Sequence, residues 1–171
     1  MRVRRAGPAD AGAIAAVHVR SWQVGYRGLM PDHVLDGLSA AEREPQWRDR
    51  LAAGSVVFAA ERDGELIGFC ALSEPSRDED AGEAVAEIAS IYVDPGAWRA
   101  GAGRALMDAA LGHLRAGEWQ ETTLWVLREN QAALHFYAAL GFRADGAEQL
   151  YERTRTVGIR LRRSLAPADS L

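Results

Sequence analysis

The sequence predicts an α/β domain: a mixed, largely antiparallel, twisted sheet of about seven strands flanked by helices. Three observations carry that expectation. Short β-branched or alternating runs recur along the chain, and two of them meet at Asp63-Gly64, a strong two-residue hairpin signal. Between such runs lie stretches whose apolar residues return at three- and four-residue spacing. At the centre, Glu87-Ile88-Ala89-Ser90-Ile91-Tyr92-Val93-Asp94-Pro95 reads as a strand, followed by a turn holding Gly101 and Gly103 and a helix carrying Leu106, Ala110 and Leu114.

Taken in order, Met1 to Arg5 alternates as a first strand, and Gly7-Pro8-Ala9-Asp10 offers helix-start chemistry, because proline is tolerated in a first turn. Ile14, Val17, Ser21 and Trp22 follow at helical spacing. Trp22 and Tyr26 admit two placements, in the core or pointing from the helix end into a pocket; Gly25, Gly28 and Pro31 mark a loop around Tyr26. Helical pieces are expected over Asp32 to Leu38 and Ala40 to Ala53. Ser55 to Arg62 and Glu65 to Glu74 are the hairpin strands, and the acidic run Pro75 to Glu83 reads as a solvated loop. Beyond the central helix, Gly117 provides a stop and Glu121 to Leu127 a fifth strand. Asn130 caps a helix whose Ala133, Phe136, Tyr137 and Leu140 share one face, closed by Gly141. Phe142-Arg143 begins another strand. Leu150 to Arg163 finishes the sheet, and its Arg160 and Arg162, with Arg153 and Arg155, read as a solvated outer face. The expected organisation is one domain over residues 1–165, with 166–171 a flexible tail.

Composition bounds the function. The chain has 171 residues, enough for a single core, and a formal net charge of −4, which gives no global attraction for nucleic acid. No window approaches the ~18 apolar residues of a membrane span, and Met1 to Pro8 lacks the apolar stretch of a signal peptide, so a cytoplasmic protein without membrane or nucleic-acid partners is expected. The lone Cys70 lies in the apolar run Leu66 to Leu72 and reads as a buried thiol. His18, His33, His113 and His135 lack metal-binding spacing, and His113 and His135 are expected on solvated helix faces, so no metal is expected.

Strand, glycine turn and helix together make an anion site. Glycine lets the backbone come close to a ligand, and the first helical turn presents N–H groups with a partial positive charge. Arg99 and Arg104 add to the attraction. No Gly-x-x-x-x-Gly-Lys-Ser/Thr run exists, which excludes a nucleotide-hydrolase phosphate loop. A dinucleotide fingerprint is weakened by Leu106 at its third small position, but Glu118 and Glu121 at ribose-binding spacing keep it open.

Ile91 to Leu106 resembles the pyrophosphate-binding motif of the GNAT superfamily of N-acetyltransferases, Gln/Arg-x-x-Gly-x-Gly/Ala. Gly101 and Gly103 match its glycines, while Trp98 stands where the family has Gln or Arg, with Arg99 next. Asn130 and the run His135-Phe136-Tyr137-Ala138-Ala139-Leu140-Gly141-Phe142 are similar to the family's Asn followed by Phe-Tyr-x-x-x-Gly-Phe. The resemblance spans residues 1–163 and is strongest over 85–142.

It implies an acyl-CoA N-acyltransferase fold and an enzyme that moves acetyl from acetyl-CoA to a primary amine by direct attack in a ternary complex, without metal. Carried onto this sequence, it places cofactor binding at Ile91, Tyr92 and Val93, with the amides and carbonyls of Ile91 and Val93 left free to pair with pantetheine where the central strand splays from its neighbour. Arg99, Ala100, Gly101, Ala102, Gly103 and Arg104 surround the pyrophosphate, and Asn130 and Tyr137 complete the set. An alkylamine of pKa ~10.4 is neutral in only about one molecule in 2,500 at pH 7, so a base is required, and Glu87 is the candidate. The Ile91 amide would stabilise charge on the thioester oxygen, and the Tyr137 phenol would return a proton to the leaving thiolate. Trp22, Tyr26, Glu87 and Trp125 are the candidate acceptor contacts, for a small-molecule or peptide amine, with Asp32 or Asp36 able to attract a cation. The sequence leaves room for a homodimer without specifying its surface. Two other functions stay open: an acyl-CoA-binding sensor without catalysis, and a dinucleotide-dependent enzyme.

Overall fold

The computed structural model describes residues 1–166, and the tail expected over 166–171 lies, apart from Ala166, outside the described residues. Among the described residues seven strands are found: β1 (Arg2–Arg5), β2 (Val57–Arg62), β3 (Glu65–Ser73), β4 (Val85–Val93), β5 (Glu121–Leu127), β6 (Arg143–Tyr151) and β7 (Thr156–Ser164). The helices are α1 (Ala11–Gly25), α2 (Asp32–Asp36), α3 (Ala40–Ala52), α4 (Ala102–Ala116) and α5 (Gln131–Ala139). The strands run in the order β1-β2-β3-β4-β5-β7-β6, the mixed and mostly antiparallel sheet that the sequence predicts. β4 and β5 pair in parallel, over Val85–Glu87 with Glu121–Thr123. No helix among the described residues is long and apolar enough to cross a membrane.

The chain forms two compact units, Met1–Leu72 with Ser90–Ala110, and Ser73–Ala89 with the chain from Leu111 on. In the first, α1 turns its Ala11, Ile14, Ala15 and Val17 stripe onto Trp47 and Leu51 of α3 and onto Val57, Phe69 and Ala71 of the hairpin. Phe69 is fully buried, so its truncation to alanine would cost about 3–5 kcal/mol. A short 3₁₀ turn at Pro8–Asp10 precedes α1, with Arg4 clamping both oxygens of Asp10 at 2.9 and 2.8 Å. Ser39 caps α3 by accepting from the Glu42 N–H at 3.3 Å. The hairpin turn has φ of +54° at Asp63 and +81° at Gly64, the left-handed pair that a two-residue loop between twisted strands requires. Cys70 is buried there as expected, and burial pushes its thiol up to about 12.

The second unit departs from the sequence reading in four places. The strand expected over Leu150 to Arg163 is two: Tyr151 ends β6, and a turn with Arg155 at φ +53° reverses the chain into β7. Arg153 and Arg155 therefore sit at a turn instead of on a strand face. Arg160, expected in solvent, is 4 % exposed, because β7 lies between β5 and β6 and the acidic segment covers it. That segment is itself not a free loop: Asp78 accepts from Trp125 Nε1 at 2.9 Å, Asp80 clasps Arg160 at 2.7 and 3.0 Å, and Arg162 donates to the Ala81 carbonyl at 3.1 Å. His113, expected in solvent, is half-buried and bonds Glu74 at 3.1 Å, an acid that Trp119 Nε1 also holds at 2.9 Å.

Candidate functional site

In the first unit, the run between β4 and α4 has the geometry of an anion loop. Asp94 fixes its entrance, accepting from Gly96 N–H at 3.0 Å and Arg20 Nε at 2.6 Å while its own N–H donates to the Ile67 carbonyl at 2.8 Å. Arg99 at φ +60° and Gly101 at φ +84° then turn the chain so that α4 begins at Ala102. A side-chain carbon added at Gly101 would meet nothing within 4 Å, so the loop presents open space in front of the helix. The N–H groups of the first turn of α4 have no acceptor within the helix, and Arg99 and Arg104 are exposed beside them. This donor set fits a pyrophosphate. Arg104 is shared with Asp108, one helical turn on, at 3.1 Å.

The far half of β4 is the other feature of this unit. Val85 to Ile88 are buried, whereas Ala89 to Val93 are half-buried. Because the Asp94 N–H points to β3, strand alternation turns the polar backbone groups of Ile91 and Val93 the other way. The Val93 carbonyl is not free as expected: the indole N–H of Trp98 donates to it at 2.8 Å. Trp98, which replaces the Gln or Arg of the family pattern, is 46 % exposed and lies over Gly25.

Trp22, Tyr26 and Tyr92 come together in an aromatic group that also contains His18, Trp47 and Phe69, all in this unit. His18 stacks on Tyr92 with ring centroids 5.2 Å apart, and its Nδ1 accepts from Trp47 Nε1 at 3.3 Å, which leaves the proton on Nε2. Burial, with the Arg43 and Arg50 charges nearby, lowers its pKa to about 4, so this imidazole is neutral at pH 7. Burial raises the pKa of Tyr92, partly offset by Tyr26 and by the Trp22 indole. Trp22 Nε1 is buried yet makes no hydrogen bond of normal geometry among the described residues. The two tryptophan faces carry guanidinium groups, Arg43 at 5.6 Å from Trp22 and Arg50 at 4.5 Å from Trp47. Sequence reasoning weighed His18 only as a metal ligand; its place four residues before Trp22 on one helix face was the available signal.

In the second unit, Glu87 is 1 % exposed on β4. Both carboxylate oxygens are taken by Arg77: Nη2 donates to Oε1 at 2.6 Å, and Nε and the main-chain N–H donate to Oε2 at 3.0 and 3.1 Å. The pairing raises the Arg77 pKa further. Sequence reasoning missed Arg77, although a single basic residue inside an acidic run was visible. Asn130 caps α5 by accepting from the Ala133 N–H at 3.2 Å, as expected, and Tyr137 is buried on that helix with its ring edge-on to Phe142 at 6.0 Å. Trp125 is half-buried and keeps different company from Trp22 and Tyr26: its indole N–H is given to Asp78, and Arg160 lies 5.7 Å from its ring. Among the described residues no group of three or more His, Cys, Asp and Glu is arranged to hold a metal ion.

The profile of the Acetyltransferase (GNAT) family matches residues 22–142. The uncharacterized N-acetyltransferase YuaI of Bacillus subtilis (strain 168) is 32 % identical over 136 residues, 80 % of this chain and 77 % of that protein. The mycothiol acetyltransferase of Amycolatopsis mediterranei (strain U-32) is 39 % identical over 148 residues, 84 % of this chain; the match spans only 46 % of that longer protein. Among solved structures, yncA from Salmonella typhimurium with its cofactor acetyl-CoA superposes with a TM-score of 0.73 at 20 % identity, covering 100 % of this chain and 99 % of that one, a likeness of fold. With a family profile over most of its length, this chain belongs to the GNAT acetyltransferase family.

Proposed function

We propose that this protein is an N-acetyltransferase that takes acetyl from acetyl-CoA and passes it to a primary amine by direct attack. The observation that carries the reading is the left-handed Gly101 at the mouth of α4, with open space before it and unpaired first-turn amides behind. Arg99 to Arg104 would hold the pyrophosphate, and Ile91, Tyr92 and Val93 the pantetheine arm; Asn130 and Tyr137 are the remaining cofactor residues of the proposal. When bound, acetyl-CoA supplies an activated acyl group as a thioester.

Glu87 accepts the proton that an alkylammonium must lose before its nitrogen can attack. The Ile91 N–H donates to the acyl oxygen as negative charge grows there. Tyr137 gives its phenolic proton to the departing sulfur. Trp22 and Tyr26, with Trp125 as a further contact, would select the acceptor, and their flat faces suit a cationic or apolar amine.

Incubating the protein with acetyl-CoA and a panel of small-molecule and peptide amines, with mass detection of an acetylated product, tests the reading. Release of free coenzyme A should be lost in Glu87→Gln and reduced in Tyr137→Phe. The closed Arg77–Glu87 pair is the one observation favouring a chain that binds acyl-CoA without transferring it. Tight coenzyme A binding with no product from any amine would decide for that second reading.

A further inference from the structure

A general base must be open to its substrate, yet Glu87 is ion-paired to a guanidinium that, with the main-chain N–H of the same residue, takes three of its roughly four acceptor positions. The way that residue is held resolves the conflict. The backbone around Arg77 is fastened on both sides: Glu74 by His113 and Trp119, Ser76 N–H by the Val85 carbonyl at 2.8 Å, Asp78 by Trp125, and Asp80 by Arg160. The Arg77 side chain is 61 % exposed, and Glu87 is its only ion-pair partner among the described residues. The guanidinium can therefore swing into solvent without disturbing the segment. When it does, the main-chain N–H of Arg77 still holds Oε2, while Oε1 loses its donor.

We propose that Arg77 is a gate on Glu87, a placeholder cation that the protonated amine of the acceptor displaces. The exchange is charge for charge: a guanidinium leaves the carboxylate and an alkylammonium takes the Oε1 position, so the buried anion is paired with a cation both before and after. Thr123 supports this. It is the register partner of Glu87 on β5 and so shares its face, it is fully buried, and its hydroxyl has no partner among the described residues. An ammonium has three donors, which could satisfy Oε1 and that hydroxyl together. The gate also defines the acceptor class. Only an amine that arrives charged can compete with a guanidinium, which selects alkylamines over arylamines, hydroxyls and other neutral nucleophiles. The base role of Glu87 belongs to the function proposed above, and the gate as a catalytic device rests on it; the ion exchange can be measured apart from it.

The test is an NMR titration of the ¹⁵N-labelled full chain with n-butylammonium chloride, following the Arg77 Nε–H resonance, identified by its loss in Arg77→Lys. In the free protein this proton should be protected from exchange with water. Adding n-butylammonium should abolish that protection, and in Glu87→Gln the signal should be unprotected from the start. In Arg77→Ala, methylguanidinium should bind about tenfold more tightly than to the wild type, because the tethered competitor is gone. An Arg77 signal that stays protected up to the solubility limit of n-butylammonium overturns the gate, whether or not Arg77→Ala folds. If Glu87→Gln retains full acetyl transfer while the exchange is seen, the base assignment fails and the cation site stands.

Discussion

Arg77 and Glu87 form a two-sided clasp in which the guanidinium and the main-chain N–H of the same arginine hold one buried carboxylate at 2.6 to 3.1 Å. It places the one fully buried acid of β4 under the control of a residue that is itself mostly in solvent.

Replacing that acid is the most direct check of the chemistry. Glu87→Gln keeps the volume and one hydrogen-bond acceptor but cannot take a proton, so turnover should fall by about 10²–10⁴-fold. Coenzyme A affinity should stay unchanged by calorimetry. Turnover within a few-fold of wild type would remove Glu87 from the mechanism.

At the anion loop, Gly101 sits at φ +84°, where a side chain costs about 1–2 kcal/mol. Gly101→Val should lower the unfolding free energy from urea titration by that amount. It should also weaken coenzyme A binding well beyond it, since the added carbons enter the open space before α4. Equal affinity in the two proteins would mean that the pyrophosphate lies elsewhere.

His18 should leave a signature in the pH dependence of stability. Its pKa is lowered from 6.5 to about 4 on folding, so between those values the unfolded chain binds the extra proton. The stability that His18 contributes is complete above pH 6.5, declines as the pH falls, and is gone below about pH 4, a loss of roughly 3 kcal/mol. Chemical denaturation at stepped pH should show that slope, and His18→Phe should flatten it whatever its absolute stability. A slope unaltered by the substitution would place the titrating group elsewhere.

Arg160 holds Asp78, Asp80 and Asp145 from a site that is almost closed to water. Arg160→Met retains much of the volume but leaves the covered Asp78 and the exposed Asp80 without an ion-pair partner and Asp145 with Arg162 alone, and should cost about 3–5 kcal/mol. Differential scanning should show the drop, together with a change in Trp125 fluorescence, because Asp78 accepts from that indole. A loss below about 1 kcal/mol would show that the cluster behaves as a surface network.

What the sequence determined by itself is whatever depends on near neighbours along the chain. The hairpin at Asp63-Gly64 needs two left-handed residues, and the run names them; the Asn130 cap needs one acceptor three residues before an N–H; the anion loop needs Gly101 ahead of an amphipathic helix. Each is a local steric or hydrogen-bonding requirement that spacing alone reveals. The division of the last strand at Arg155 was missed because nothing but a turn at a non-glycine residue marks it. The tertiary structure alone decided which charges are buried and which rings meet. Arg160 finds Asp80 across 80 residues, Trp125 finds Asp78 across 47, and His18 finds Trp47 across 29. Whether a polar side chain points to water or to a partner is set by which distant segment covers it, and a periodic pattern of arginines or acids looks the same in either case.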